Sequence, residues 1–291
     1  MNPPLKPRRL SGALLAMVGS VLLSGCASVV TSATSGLAEN LSQAILNQND
    51  PETVEDGAPA YLLMLDSFVE SSPDDPAMLG AAAELYAAYG VLFVDDPERA
   101  TRLTARAQDY GQRALCATNG GACGIEELRY PEYLAALEAL RPGDVSALYT
   151  YSLAWFASIR ARSGDMNALS QLPRAEAALR RVKALDPSYE EAKVAHYLAV
   201  LSTLRPPALG GKFDEGRELF ERAIALTEGR DLSIKVDFAR YYARTLYEQG
   251  LHDQLLGEVL DAEPEAPRLT LFNVLAQREA SELLASGADY F

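Results

Sequence analysis

Apolar and polar residues alternate along most of this chain with the period of an α-helix. The clearest example runs from Gly210 to Leu226, where a glycine turn leads into a segment with Phe213, Gly216, Phe220 and Ala223 at three- and four-residue steps. Residues at these steps lie on one face of a helix. The small residues let a neighbouring helix approach closely, and Phe220 fills the space between the two layers. The pattern therefore predicts a helix with a narrow packing face.

Three Asp-Pro pairs predict the starts of further helices, at Asp50-Pro51, Asp75-Pro76 and Asp96-Pro97. The Asp side chain accepts hydrogen bonds from the free N–H groups of the first turn, where a proline needs no donor. Ala58-Pro59 is predicted to break or kink the first of these helices. The predicted helices are 51–70, 76–93, 97–116, 131–140, 145–162, 173–185, 189–204, 213–226, 234–249, 252–262 and 268–284.

No stretch of the sequence shows the sustained period-two alternation of a β-strand. We predict an all-α fold over residues 37–291, built as an irregular array of antiparallel helical hairpins similar to a tetratricopeptide (TPR-like) α-solenoid. The array is predicted to be irregular because Pro206-Pro207 lengthens the turn before residue 213. An ordinary all-α domain that contains one amphipathic helix at 213–226 is the alternative.

The first 36 residues are predicted to lie outside this domain. Basic residues precede an apolar run, 10–23, that is too short to be a comfortable membrane span. The run ends in Leu23-Ser24-Gly25-Cys26, which resembles the lipobox of bacterial lipoproteins. We predict that residues 1–25 are a signal peptide, that Cys26 is lipidated and that 26–36 form a tether. Ordinary secretory cleavage that leaves Cys26 free is the alternative.

The composition limits the classes of partner. The chain has 291 residues, of which 48% are hydrophobic, so it can fill a sizeable core. Its formal net charge is −14. A nucleic acid or an anionic membrane surface would need clustered Lys and Arg, so neither is predicted as the main partner.

The two remaining cysteines lie close together in sequence. Cys116 and Cys123 flank Asn119-Gly120-Gly121, which can turn the chain, so we predict a local disulfide in an oxidising compartment. Two free thiols are the alternative. The chain contains only two histidines, His196 and His252, and neither is near the cysteines, so no metal site is predicted. His252 is expected to be exposed.

The sequence contains no phosphate-binding glycine loop, serine elbow or metal-spaced cluster, so no enzymatic activity and no cofactor are predicted. Its acidic pairs precede helices, where the helix dipole favours negative charge. If a ligand passage exists, Tyr149, Tyr151 and Trp155 are the candidates to line it. Core packing is the alternative role for these three aromatic residues.

Three blocks of sequence are informative as a set. They are Asp50-Pro51-Glu52-Thr53-Val54 with Pro59-Ala60-Tyr61-Leu62-Leu63; Phe93-Val94-Asp95-Asp96-Pro97-Glu98-Arg99-Ala100 with Tyr110-Gly111-Gln112-Arg113-Ala114-Leu115; and Arg205-Pro206-Pro207-Ala208-Leu209-Gly210-Gly211 through Phe291, including Ala239-Arg240-Tyr241-Tyr242-Ala243-Arg244. In order and spacing they resemble the T-component of TRAP transporters, the TatT family of periplasmic lipoproteins.

The resemblance implies a lipid-anchored, non-enzymatic helical scaffold that docks the periplasmic substrate-binding protein of a TRAP-type transporter. It also implies a homotrimer that passes a small hydrophobic or organic-acid ligand. In such lipoproteins, Ala27 after the lipidated cysteine favours the periplasmic side of the outer membrane. The alternative is a lipoprotein that supports envelope assembly and transports no ligand.

Overall fold

The computed structural model describes residues 43–291. The predicted signal peptide, the lipidation at Cys26 and the tether lie outside the described residues. Within 43–291 the chain is helical with no strand, which confirms the predicted all-α fold. The helices are α1 (Pro51–Ser71), α2 (Pro76–Leu92), α3 (Pro97–Thr118), α4 (Tyr130–Ala139), α5 (Val145–Ala161), α6 (Met166–Leu169), α7 (Leu172–Leu185), α8 (Glu191–Thr203), α9 (Phe213–Leu226), α10 (Leu232–Asp237), α11 (Gln249–Asp261), α12 (Thr270–Ala285) and α13 (Gly287–Tyr290).

Two of the predicted helix starts are capped by aspartate side chains. The Asp75 carboxylate accepts hydrogen bonds from the backbone N–H groups of Ala77 and Met78, and Asp96 accepts one from Arg99. These contacts satisfy first-turn donors that have no partner inside the helix. Asp50 differs, because its carboxylate accepts a hydrogen bond from the hydroxyl of Thr53, at 2.6 Å, and none from a backbone N–H of the first turn.

The chain does not break at Ala58-Pro59, because α1 continues through Pro59 to Ser71. The alternative, a kink at this place, stays a prediction. A proline inside a helix removes one backbone hydrogen bond. Ala58 and Leu62 are both buried, so packing holds the helix together on either side of the proline.

The close approach predicted at Gly216 is confirmed. A Cβ atom at this position would lie 2.5 Å from Cγ2 of Thr203 on α8, so any larger residue would force Thr203 to shift. Phe220 and Ala223, on the same face of α9, are fully buried. Gly211, in the turn before α9, is equally constrained, because a Cβ there would lie 1.9 Å from the carbonyl oxygen of Arg205.

Neighbouring helices pack on one another along the chain: α2 on α3, α3 on α5, α5 on α7, α8 on α9 and α11 on α12. The first helix also contacts the far end of the chain. The guanidinium of Arg278 on α12 donates to the carboxylate of Glu52 on α1, and the backbone N–H of Arg268 donates to the side chain of Asn47. The two ends of the described chain therefore meet, which the ends of an open solenoid do not do. The TPR-like arrangement stays a prediction.

Candidate functional site

Helix α5 presents two faces with different surroundings. Tyr149, Leu153, Phe156 and Arg160 follow one another at steps of four, three and four residues, so they lie on one face. Tyr151 is two residues from Tyr149, which turns it by roughly 200° in an α-helix. The three aromatic residues predicted to line a passage are thus divided between the two faces.

Tyr151 and Trp155 belong to the core. Their side chains are 1% and 2% exposed, and their rings lie 5.3 Å apart. The ring of Tyr133 on α4 meets Trp155 edge-on, and the indole N–H of Trp155 donates to the side chain of Gln171 at 2.7 Å. The structure therefore places these two residues in well-packed surroundings, which fits their alternative role in core packing.

The face of α5 that carries Tyr149 and Arg160 looks toward charged and hydroxyl-bearing side chains of other helices. We call this set the interior cluster. It comprises Tyr149, Arg160, Tyr197, Asp237, Tyr241 and Glu279. The groups that act electrostatically on Arg160 include Tyr241, Asp237 and Glu279. Helix α5 therefore meets α12 and the segment that runs from the end of α10 through Tyr241.

Three members of the interior cluster are desolvated and still touch solvent. Burial raises the pKa of Tyr197 to about 12, and it also raises the pKa of Tyr241 and of the Glu279 carboxyl. These side chains are half-buried, and that of Glu279 is 31% exposed. They therefore lie at the edge of the packed helices.

Both carboxylates of the interior cluster have a cationic or histidine partner. Asp237 lies 2.8 Å from Nε2 of the buried His196, and Glu279 forms an ion pair with Arg240. Burial by itself would raise the pKa of Asp237, but the hydrogen bond to His196 and the charges of His196 and Arg160 outweigh it and lower that pKa.

The guanidinium of Arg160, by contrast, forms no hydrogen bond and no ion pair with any residue in 43–291. The same part of the chain supplies no hydrogen-bond partner for the hydroxyl groups of Tyr149 and Tyr197. The electrostatic influences on Tyr149 and Arg160 both include Tyr197, so it lies near each of them. Three polar groups of the interior cluster therefore have no described partner.

A π-helix, Phe238–Ala243, supplies Arg240 and Tyr241 to this region. The backbone N–H of Arg244 donates to the carbonyl of Ala239 at 3.0 Å, the five-residue spacing of a π-helix. The predicted uninterrupted helix over 234–249 is therefore wrong. Gln249, the last residue of that predicted helix, and the following Gly250 lie instead in the first turn of α11. Short π-helices are rare and often occur at functional sites.

Cys116 and Cys123 are joined by a disulfide, with Cα atoms 4.4 Å apart. The Asn119 side chain accepts the N–H of Gly121 and donates to Asp144, both at 3.0 Å. The disulfide and these hydrogen bonds fix the loop after α3 to the turn before α5.

The prediction that His252 is exposed is wrong, because its side chain is fully buried in α11. Its Nε2 accepts a hydrogen bond from Arg244 at 3.2 Å, and Phe291 lies against its ring. The described residues contain no group of three potential metal ligands. Within 43–291, no helix is both long and apolar enough to cross a membrane.

A separate surface cleft of about 440 Å³ lies between α2, α3 and α5. Most of its lining residues are small, among them Gly80 and Ala147. The cleft is polar where the Thr150 hydroxyl donates to the carboxylate of Glu84 at 2.8 Å.

Prediction from sequence did not identify Arg160, Tyr197, Asp237, Tyr241 or Glu279 as site residues. One signal was available, because Arg160 is a charged residue on a helix face that is otherwise aromatic or aliphatic. Tyr241 lies in the block Ala239-Arg240-Tyr241-Tyr242-Ala243-Arg244, which carried part of the family resemblance.

Two comparisons with known proteins bear on the chain. A family model described as "TRAP transporter T-component" matches residues 47–291, which include every helix from α1 to α13. A search of curated proteins gives no match.

Proposed function

This chain belongs to the TRAP transporter T-component family, and from that membership we propose that it docks the periplasmic substrate-binding protein of a TRAP-type transporter. The match over residues 47–291 is the observation that carries the proposal. In this role the protein is a scaffold and not an enzyme. The helices provide surfaces for protein contacts, and no catalytic step is assigned to any residue.

The interior cluster supports a second element of the proposal, the passage of a small organic-acid or hydrophobic ligand. The cluster combines aromatic side chains with polar groups that have no described partner. Sites for small ligands are commonly concave and apolar, with a few polar groups that fix the orientation of the ligand.

In this proposal, a lipid on Cys26 holds the protein at the periplasmic side of the outer membrane, and the protein assembles as a homotrimer. The lipobox at 23–26 and the family membership support this arrangement. Several acyl chains on one residue anchor a protein firmly, because each buried CH₂ group contributes about 0.8 kcal/mol.

Chemical crosslinking in the native envelope, followed by capture of the tagged full chain, tests the docking role. We expect a TRAP-type substrate-binding protein to be enriched relative to capture with an unrelated lipoprotein that carries the same tag. Recovery of envelope-assembly proteins without a substrate-binding protein would contradict the transport role and favour the structural alternative.

A further inference from the structure

We propose that the surface cleft between α2, α3 and α5 binds a small organic cation, a protonated primary amine with a compact apolar body. The ammonium group of the ligand pairs with the carboxylate of Glu84, and the apolar body lies along the small residues of the cleft wall. This inference goes beyond the docking role and beyond the passage of an acidic or hydrophobic ligand, and it depends on neither.

The cleft is a space that the side chains around it do not fill. Its volume of about 440 Å³ falls among the volumes of sites that bind small ligands. Helix α2 lines it with Pro76, Gly80 and Glu84, at steps of four residues along one helix face. A Cβ atom added at Gly80 would meet no atom within 4 Å, and the same holds for Gly143, just before α5. The cleft is therefore open at both glycines.

The walls of the cleft are short and apolar. Seven of the eleven residues that line it are glycine, alanine or proline, including Ala77, Ala81 and Ala147. An apolar group that covers such a wall removes apolar surface from water, which is favourable. The cleft therefore favours an occupant with an apolar body.

Glu84 gives the cleft a negative charge. The other polar residues that line it are Thr118, Ser146 and Thr150, and no lysine or arginine is among the described lining residues. Within 43–291, the Glu84 carboxylate forms no ion pair with any cationic side chain. A ligand with one positive charge would balance this carboxylate, whereas an anion would be repelled by it.

Thr150 holds the Glu84 carboxylate at the wall of the cleft. The Thr150 side chain is 4% exposed, and its hydroxyl donates to Oε1 of Glu84 at 2.8 Å. A carboxylate accepts several hydrogen bonds, so this contact leaves acceptor sites for the N–H groups of an ammonium ion. Glu84 is thus the binding residue, and Thr150 is a positioning residue.

The start of α2 also borders the cleft, and it offers no free site for an anion. Helix N-termini attract anions through their unpaired backbone N–H groups. At α2 the N–H groups of Ala77 and Met78 already donate to the carboxylate of Asp75. This second carboxylate adds to the negative charge near the cleft, so it also favours a cation.

Isothermal titration calorimetry at neutral pH, on the full chain purified in a non-ionic detergent, tests the proposal. The probes are butylamine, hexylamine and 2-phenylethylamine, each measured beside the alcohol with the same carbon skeleton, which carries no charge. We expect at least one amine to bind, with an affinity about tenfold or more above that of its alcohol, because a charge-assisted hydrogen bond is stronger than a neutral one. Butyrate and hexanoate should bind no more tightly than the alcohols.

Substitutions at the carboxylate and at the hydroxyl assign the preference. Glu84→Gln should abolish the preference for amine over alcohol, because the amide keeps the shape and loses the charge. Thr150→Val should weaken amine binding about threefold to tenfold and leave alcohol binding unchanged, because it removes one hydrogen bond to the carboxylate. Thr150→Ser should restore amine binding. Glu218→Gln is the matched control, since Glu218 is exposed on α9 and does not line the cleft, and it should bind as the unmodified chain does.

A variant that fills the cleft places the binding there. Gly80→Leu should lower the affinity for amines and alcohols alike by about tenfold or more, because its side chain occupies the open space beside Glu84. Thermal unfolding shows whether the variant is folded. We expect its midpoint to stay at or above that of the unmodified chain, since the added Cβ meets no atom and leucine favours a helix more than glycine does. If Gly80→Leu does not fold, Ala147→Leu on α5 gives the same measurement.

Four outcomes would overturn the inference. It is wrong if no amine binds, if amines and alcohols bind equally, or if Glu84→Gln keeps the preference. It is also wrong if a folded variant with a filled cleft binds amines as the unmodified chain does. None of these outcomes bears on the capture of a substrate-binding protein, so the docking role is tested separately.

Discussion

The carboxylate of Glu52 accepts two hydrogen bonds from the guanidinium of Arg278, at 2.6 and 3.0 Å, and this pair joins the first and last long helices of the described chain. The two residues are 226 positions apart. Their side chains are 60% and 49% exposed, so water screens the pair, and its main effect is on the position of α1 and not on global stability.

We expect Arg278→Gln to increase hydrogen exchange at the start of α1 while the midpoint of thermal unfolding changes little. The hydrogen bonds from Arg278 are the largest cause that lowers the pKa of Glu52 to about 2. A depressed pKa means that the contact is present at neutral pH and is lost as the pH falls through about 2. In the variant the pKa should return toward 4.5. An NMR titration that finds no such rise would contradict the prediction.

Glu176 on α7 is a buried carboxylate with three cationic partners. Its Oε1 lies 2.8 Å from Nζ of Lys212 and 2.9 Å from the guanidinium of Arg180, and its Oε2 lies 3.6 Å from the guanidinium of Arg205. Because all three cations are partly exposed, we expect Glu176→Gln to lower the free energy of unfolding by about 1–2 kcal/mol. Glu218→Gln, at an exposed position on α9, should change it little. Urea denaturation of both variants measures the difference.

The same carboxylate predicts an acid dependence. Burial alone would raise the pKa of Glu176, but the hydrogen bonds and charges of Lys212 and Arg180 lower it below 4.5. A depressed pKa contributes stability above the unfolded-state value and loses it as the pH falls through the folded-state value. We expect the stability difference between the unmodified chain and Glu176→Gln to shrink below about pH 4.5. A constant difference down to acid unfolding would contradict this account.

Gly216 tests the close packing of α8 on α9. The added Cβ of Gly216→Ala would press on Thr203, so we expect a loss of about 1–3 kcal/mol in the free energy of unfolding. Thr203→Ser removes the methyl group in contact, so the double variant should recover part of the loss. Gly257→Ala, on α11, is the control, because no atom lies within 4 Å of the added Cβ. That variant should gain about 0.5–1 kcal/mol from the better helix propensity of alanine.

The disulfide between Cys116 and Cys123 closes a short loop. We expect Cys116→Ser with Cys123→Ser to cost at most about 2.5 kcal/mol, the loop-entropy value for a separation of seven residues. Non-reducing peptide mass spectrometry should find the linked peptides in the unmodified chain. A cost well above about 2.5 kcal/mol would contradict this loop-entropy account.

Features that depend on neighbouring residues were predictable. Asp75 and Asp96 cap helices through donors two or three positions away, so their sequence context is sufficient. The close approach at Gly216 was predictable too, because the spacing of Phe220 and Ala223 defines the packing face.

Features that depend on contacts between distant segments were not predictable. All the aromatic residues of α5 fit a helix, and only the positions of the neighbouring segments decide that Trp155 packs against Tyr133 and Gln171 while Tyr149 packs against Tyr189. His252 was missed for a related reason, since its burial depends on Phe291 and Arg244 folding over it.

The π-helix at Phe238–Ala243 also has a consequence for how related chains can diverge. A π-helix holds the residues of an α-helix plus an extra one. Deleting one residue there would restore α-helical spacing and rotate the following side chains by roughly 100° relative to their neighbours. The groups that this segment presents to the interior cluster, Tyr241 among them, thus depend on its length as well as on its residue types. A change in length alone would give two relatives different side chains at this place on the same scaffold.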